Sequence, residues 1–185
     1  MARNAEVTRR KILDAATEEF ARHGIAGARV DRITKAAGVN NALLYRYFGS
    51  KLELFDTVLS GLVAEVVDAV PLDVRDLPGY VGRLYDFYEE RPHVVRLTAW
   101  RLLERPEHEI PKNVFASHEA KAALIAQAQR DGVITSTLPA GELRDLMILL
   151  SLSQSMLAPT MGDEVSREVR RATVVAAAAA VLRSG

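Results

Sequence analysis

Two short segments near the start of the chain repeat an apolar residue at an interval of four. The repeated positions are Ile33 and Ala37 in the first segment, and Leu44 and Phe48 in the second. This interval places side chains on one face of an α-helix, so the pattern predicts helices over residues 31–37 and 41–48. Gly38 suits the end of the first helix because glycine tolerates a positive φ, and Asn40 is a good N-cap for the second. We therefore expect two helices joined by a tight turn.

The other face of the second helix carries amide, small, aliphatic and phenolic groups. Its residues are Asn41, Ala42, Leu43, Tyr45 and Tyr47. Such groups suit base edges, thymine methyl groups and phosphate oxygens, and an α-helix fits the major groove of B-DNA. The competing interpretation is that Tyr45, Tyr47 and Phe48 are ordinary core aromatics and that Arg46 is a solvated side chain. Because a short helix with aromatic surface on two faces needs a partner on the outer one, the pattern favours DNA.

A further helix is predicted directly after this pair. Ser50 is a good N-cap, and Glu53, three residues later, completes a capping box. Lys51 then lies in the first turn. The sequence therefore predicts that Lys51 and the helix N-terminus meet a phosphate group.

Helical spacing continues through the rest of the chain, and nothing in the pattern suggests strands. The remaining predicted helices cover residues 9–23, 51–70, 78–91, 92–104, 112–131, 140–157 and 165–183. The fold class that follows is all-α, with about nine helices. We expect an N-terminal head over residues 1–55 and a helical body over residues 56–185. Residues 1–7 are polar and short, which predicts a mobile arm ahead of a helix capped by Thr8.

Composition adds an electrostatic argument. The net charge is zero, but the residues up to Phe55 include ten basic and six acidic side chains. A basic head on an acidic body fits docking on nucleic acid by one end. The chain has no cysteine, which excludes disulfides and cysteine metal sites. Because no signal peptide and no segment long enough to span a bilayer is visible, we expect a cytoplasmic location without membrane contact.

The sequence contains no residue pattern that indicates enzyme chemistry. The four histidines include no pair at the i, i+4 spacing of a helical zinc site. No glycine-rich loop has the spacing of a P-loop or a dinucleotide fingerprint, and no serine lies in a nucleophile elbow. We therefore expect no metal, no cofactor and no enzyme activity.

Twelve positions in and around the helix pair carry a more specific signal. They are Ile33, Ala36, Ala37, Gly38, Val39, Leu44, Tyr45, Arg46, Tyr47, Phe48, Lys51 and Leu54. In these residues the sequence resembles the TetR family of bacterial transcriptional regulators, and the resemblance extends back through the first predicted helix. It implies that Asn41, Ala42, Leu43, Tyr45 and Tyr47 occupy the groove-facing positions of the family. It also implies that Tyr45 and Lys51 match the tyrosine and lysine with which the family contacts the DNA backbone.

Two positions depart from the family's pattern. Leu43 stands where the family usually has serine or threonine, so a contact to a methyl group replaces a hydroxyl contact to phosphate. Arg29 stands where a threonine commonly caps the second helix. Arginine is a poor cap but a fair phosphate ligand, so Arg29 joins the predicted DNA-binding set.

The resemblance also implies assembly and regulation. Counted from the N-terminus, the last two predicted helices are helices 8 and 9, over residues 140–157 and 165–183. The resemblance implies a homodimer through helices 8 and 9, which presents two recognition helices to a palindromic operator, and the surplus apolar surface of both helices supports this. Helices 5 to 8, the four predicted helices between residues 78 and 157, are expected to enclose an apolar pocket for an unknown small-molecule effector that loosens DNA binding. The candidate lining residues are Tyr85, Tyr88, Trp100, Met147 and Met156, with Arg96 or Arg101 as a polar anchor. Each of these residue types is more often a simple core residue than a ligand contact.

The leading hypothesis is therefore a ligand-released repressor, and two other functions stay open. A helical ligand carrier or enzyme with a purely structural head should lack an outward set of Tyr45, Tyr47 and Lys51, which this chain has. A DNA binder without an effector should have a solid C-terminal core and a weak sequence preference. The operator, the effector and the regulated genes do not follow from the sequence.

Overall fold

A computed structural model of the protein describes residues 2–107, 110–161 and 165–183. Over these residues the chain forms helices, turns and loops without any strand, so the predicted all-α class is confirmed. The helices are α1 (Ala2–Gly27), α2 (Val30–Ala37), α3 (Asn41–Phe48), α4 (Lys51–Ala69), α5 (Leu77–Glu90), α6 (Pro92–Glu104), α7 (Lys112–Arg130), α8 (Ala140–Met161) and α9 (Arg167–Arg183). None of the described helices combines the length and apolar character needed to cross a membrane.

The first helix begins earlier than predicted. Residues 2–7 form the first turns of α1, so the expectation of a separate arm was wrong. Alanine and glutamate favour the helix here, and extending a helix costs less than nucleating one. Thr8 is not the N-cap, because its hydroxyl donates to the Asn4 carbonyl one turn earlier, at 2.8 Å.

The chain divides into two compact units whose boundaries fall inside helices. Unit 1 comprises Met1–Leu62 and Arg96–Pro111, and unit 2 comprises Val63–Val95 and Lys112–Gly185. Both α4 and α6 therefore contribute residues to each unit. The C-terminal part of α6 belongs with the N-terminal helices, a grouping that hydrophobic periodicity along one chain does not reveal.

Unit 1 has its own apolar core. Phe20 of α1 and Phe55 of α4 meet edge to face, with ring centroids 5.2 Å apart, and both are fully buried. The four apolar positions that predicted the helix pair are buried as expected. Edge-to-face contacts add about 0.5–1.5 kcal/mol to the stabilisation from area burial, so this pair fixes α4 firmly against α1.

Unit 2 is built around α5, which packs against α8 and α9. Its central cluster consists of Leu77, Val81, Tyr85, Ile125, Leu143, Met147, Val174 and Ala178. A Cβ atom at Gly82 would lie 2.9 Å from both Arg171 Nη2 and Val175 Cγ2, so the glycine permits the close approach of α5 and α9. Arg171 also donates to Asp86 of α5 at 2.7 Å. One face of α9 is therefore occupied within the chain.

Candidate nucleic-acid interface

The turn between α2 and α3 has the geometry that the sequence predicts. Gly38 ends α2 in the left-handed region with φ 69°. The Val39 N–H donates to the Thr34 carbonyl at 3.0 Å, which satisfies one of the free carbonyls at the helix end. The Asn40 side chain accepts a hydrogen bond from the Leu43 N–H at 2.8 Å and caps α3. These local bonds fix the direction in which α3 leaves the turn.

The outer face of α3 is accessible. Asn41 and Ala42 are exposed, Leu43 and Tyr47 are half-buried, and 46% of Tyr45 is exposed. Tyr45 is therefore an exposed residue, whereas the competing interpretation required it to be a core aromatic. That leaves the outward phenol of Tyr45 available to a partner outside the chain.

Cationic side chains flank this face. The Arg46 guanidinium lies 5.9 Å from the centre of the Tyr47 ring. The Arg9 guanidinium lies 5.4 Å from the centre of the Phe48 ring. Arg29, at the start of α2, is exposed. Guanidinium groups held on aromatic rings remain charged and suit phosphate oxygens.

Asn41 is engaged within the chain. Its amide Nδ2 donates to Asp31 Oδ1 at 2.6 Å, and its Oδ1 accepts from the Thr34 hydroxyl at 2.7 Å. Both partners lie on α2, so the two bonds join α2 to α3. A bidentate contact to adenine uses the same two amide groups. Base reading by Asn41 therefore competes with this interhelix contact.

Lys51 also has an internal role that spacing did not predict. Its Nζ donates to the Ala28 carbonyl at 3.0 Å and to the Ala26 carbonyl at 3.3 Å. These carbonyls lie where the chain passes from α1 to α2. An ammonium group has three protons, so one donor remains for a phosphate.

The predicted capping box at the start of α4 is only half formed. The Ser50 hydroxyl caps α4 by accepting from the Glu53 N–H at 3.1 Å. The Ser50 N–H donates to the Phe48 carbonyl and not to the Glu53 side chain.

The start of α2 is capped by a residue of α1. The side chain of Arg29, the N-cap residue, makes no capping hydrogen bond. Glu19 Oε1 accepts from the Arg29 N–H at 2.9 Å and from Arg32 Nε at 2.7 Å. Burial alone would raise the pKa of the Glu19 carboxyl, but the bonds from Arg32 and Arg29 outweigh it and leave the pKa below 4.5. The capping role of Glu19 was not predicted from the sequence, although a helix start without a capping side chain of its own indicates that another acceptor is needed.

The end of α6 supports the bend in α1. Gly24 adopts φ 70° there, and a Cβ atom at this position would collide with Glu104 and touch Trp100. Glu104 Oε2 accepts from the Ala26 N–H at 2.7 Å. Trp100 Nε1 donates to the Ala21 carbonyl at 3.4 Å. These contacts join residues nearly eighty positions apart, and no local pattern indicates them.

Six of the candidate effector contacts lie in different environments. Arg96 and Trp100 lie in unit 1, where they line a cleft of about 330 Å³ with Arg22. Tyr85 and Met147 are fully buried in the core of unit 2, Tyr88 is 7% exposed, and Met156 is 50% exposed. Their roles in effector binding stay predictions. A wider cleft of about 600 Å³ lies in unit 2 between residues of α4 and α7 that the sequence did not single out.

Comparison with known proteins agrees with this geometry. The sequence pattern of a family described as bacterial regulatory proteins, tetR family, matches residues 12–58. A second pattern, described as the tetracyclin repressor-like C-terminal domain, matches residues 76–180. The HTH-type transcriptional repressor SCO4008 of Streptomyces coelicolor is 38% identical over 162 residues, which cover 86% of this chain and 84% of that protein.

Two further relatives extend the comparison. The HTH-type transcriptional repressor NicS of Pseudomonas putida is 34% identical over 114 residues, covering 58% of this chain and 54% of NicS. The crystal structure of SCO4942 from Streptomyces coelicolor superposes with a TM-score of 0.84 and 34% identity, covering 96% of this chain and 99% of that one. Since the matched patterns cover both the helix pair and most of the helical body, the chain belongs to the TetR family of bacterial transcriptional regulators, which bind DNA.

Proposed function

We propose that the protein is a repressor that binds a palindromic operator as a homodimer, with α3 of each protomer in the major groove. The observation that carries the proposal is the exposed outer face of α3, held in place by a capped turn. A rigid helix that presents small and phenolic groups meets base edges without a large cost in ordering. The basic excess before residue 56 supplies the attraction to phosphate.

The residues of the face divide into base contacts and backbone contacts. Ala42, Leu43 and Tyr47 face the base edges, where apolar groups meet thymine methyls. Tyr45, Lys51 and Arg29 bind phosphates and set the register of the helix on the duplex. Asn41 belongs to the same face, but its bonds to α2 favour a role in positioning α3.

The proposed dimer uses the outer faces of α8 and α9. Leu149 and Met156 are seven residues apart on α8 and are 61% and 50% exposed. On α9, Val169 is 54% exposed, and Ala172 and Ala176 follow at helical spacing on the exposed side. Large exposed aliphatic groups beside small ones suit a helix-to-helix interface between protomers.

Release by a small molecule is the remaining part of the proposal. The cleft of unit 2 between α4 and α7, at about 600 Å³, has the size of a site for a drug-sized ligand. It supports an effector site because α4 continues from this cleft into unit 1. A ligand there regulates DNA binding only if it prefers one of two conformations of the protein.

Selection from random double-stranded DNA tests the proposal. The purified protein should enrich an inverted repeat, and Tyr45→Ala should remove the enrichment while its thermal unfolding stays unchanged, because Tyr45 is exposed. Enrichment of a single half-site would contradict the homodimer. Recovery of no motif by a folded protein would contradict sequence-specific repression.

A further inference from the structure

The cleft between α4 and α7 has aliphatic walls. Its lining residues are Val63, Ala64, Val67, Asp68, Val70, Pro71, Leu72, Asn113, Ala116, Ser117, Ala120, Lys121 and Leu124. None of these is aromatic, so the cleft offers no ring on which a planar ligand could stack. Leu124 is 53% exposed and Val67 is 36% exposed, which leaves apolar surface for an occupant to cover. The walls therefore suit a flexible aliphatic group.

Lys121 is the cationic residue of this lining. Its side chain is half-buried, and its Nζ makes no hydrogen bond or ion pair with the residues that the structure describes. Burial, reinforced by the charge of Arg144, lowers the pKa of Lys121 from its ordinary value. A half-buried ammonium without a counter-ion among the described residues is costly, so an anion at this position would be stabilised.

A small void continues inward from the same residue. Lys121 and Leu72 are common to the cleft and to this void, which Tyr80, Arg144 and Met147 also line. The void has no room for a water molecule. A polar head group can therefore enter the void only if lining side chains move, and Leu72 belongs to both linings.

Tyr80 provides a second unused donor at the void. Its side chain is 2% exposed, and its hydroxyl has no hydrogen-bond partner in the described part of the chain. Burial raises the pKa of Tyr80 to about 12, so the hydroxyl stays protonated at neutral pH. A buried hydroxyl without an acceptor costs roughly 1–3 kcal/mol, which a ligand oxygen would recover.

The charged groups described near Lys121 make no ion pair with it, and Glu119 is exposed and lies 4.0 Å from Arg144 Nη1. Arg144 is itself cationic and is paired with Asp145 at 2.9 and 3.0 Å. Burial and Arg144 lower the pKa of His118, which favours its neutral form. Asp68 lies on the α4 side of the cleft and is exposed, so solvent screens its charge.

We propose that this cleft binds an aliphatic carboxylate, with its chain along α4 and α7 and its carboxylate on Lys121 Nζ. The Tyr80 hydroxyl donates to the second carboxylate oxygen once Leu72 has moved. The assignment of this ligand as the effector rests on the proposed repressor function. The binding itself does not.

Calorimetric titration of the full chain, without DNA, tests the site with three probes of one chain length. Decanoate, decanol and decyltrimethylammonium are compared below the concentrations at which they form micelles. Decanoate should bind at least tenfold more tightly than decanol, because a charge-assisted contact contributes about tenfold or more in affinity. Decyltrimethylammonium should not bind, since it places a cation beside Lys121.

Three lysine variants locate the carboxylate. Lys121→Met keeps the length of the side chain and should remove the preference for decanoate over decanol. Lys121→Arg should keep the preference, and Lys112→Met, an exposed position on the same helix, should change nothing. Tyr80→Phe should weaken decanoate binding several-fold while leaving decanol binding unchanged.

Three results would overturn the proposal. The first is equal affinity for decanoate and decanol in the unchanged protein. The second is tighter binding of decyltrimethylammonium, which would assign the cleft to a cation held by Asp68. The third is no binding of decanoate. Because these measurements contain no DNA, they are separate from the operator selection. A protein that selects an operator but ignores decanoate would refute this inference alone.

Discussion

At the scale of single residues, substitution of Asn41 distinguishes a residue that reads the operator from one that supports the fold. Its two bonds to Asp31 and Thr34 hold α3 on α2. We expect Asn41→Ala to lower the free energy of unfolding by about 1 kcal/mol, because both bonds are lost at an exposed site. Operator affinity should fall by a similar factor for every single-base variant of the site.

Chemical denaturation and binding to a panel of operator variants check this prediction. Lys35→Ala, at an exposed position of α2, is the matched control and should leave stability unchanged. If Asn41→Ala instead kept full stability and lost discrimination at one base pair, by about 1–3 kcal/mol, the residue would be a direct reader of adenine.

Glu19 gives the head a measurable pH dependence. Its folded-state pKa lies below 4.5, so its ionised form stabilises the fold fully above about pH 4.5 and loses that effect as the pH falls through the folded-state pKa. Glu19→Gln retains an acceptor for the Arg29 N–H but lacks the charge. We expect it to cost about 1 kcal/mol at pH 7, since charge-assisted bonds are the stronger ones.

Urea unfolding of both proteins between pH 7 and pH 3.5 measures this difference. The difference should shrink as the pH falls below 4.5, because the carboxyl in the unchanged protein becomes protonated. A difference that stayed constant across this range would mean that the charge of Glu19 contributes nothing to the fold.

At the scale of helices, the sequence predicted α3 and the turn before it because the causes there are local. The bounds of α3, its cap at Asn40 and the turn at Gly38 follow from residues within one helical turn of each other. The supports of the turn from α1 to α2 were not predicted. Glu19 reaches it from an earlier turn of α1, Lys51 from α4 and Glu104 from α6. Such contacts depend on the packing of the chain, which hydrophobic spacing alone does not give.

The cleft between α4 and α7 was not singled out from the sequence for a related reason. Aromatic and sulfur residues were singled out because they are large, and large residues are also the usual core residues. Tyr85 and Met147 are fully buried. The open cleft is lined mainly by aliphatic residues, with a few polar ones that include Lys121, and all of these look ordinary along a helix.

The outer faces of α8 and α9 carry the prediction about assembly. We expect Leu149→Glu and Ala176→Glu to convert the dimer to a monomer, because each buries a charge in the proposed interface. Ala123→Glu, at an exposed position of α7, is the control and should stay dimeric. Sedimentation velocity gives the masses. A dimer that survives both interface substitutions would place the contact elsewhere.

At the scale of the whole molecule, a homodimer doubles every contact with the DNA backbone. Each phosphate neutralised contributes about 0.9 to the slope of log affinity against log salt concentration, so Arg29→Ala should lower the slope by about 1.8 in a dimer. Lys112→Ala, on an exposed position of α7, should leave it unchanged. Fluorescence anisotropy with the selected operator at several salt concentrations measures the slope. A decrease near 0.9 would mean one bound protomer, and no decrease would remove Arg29 from the phosphate contacts.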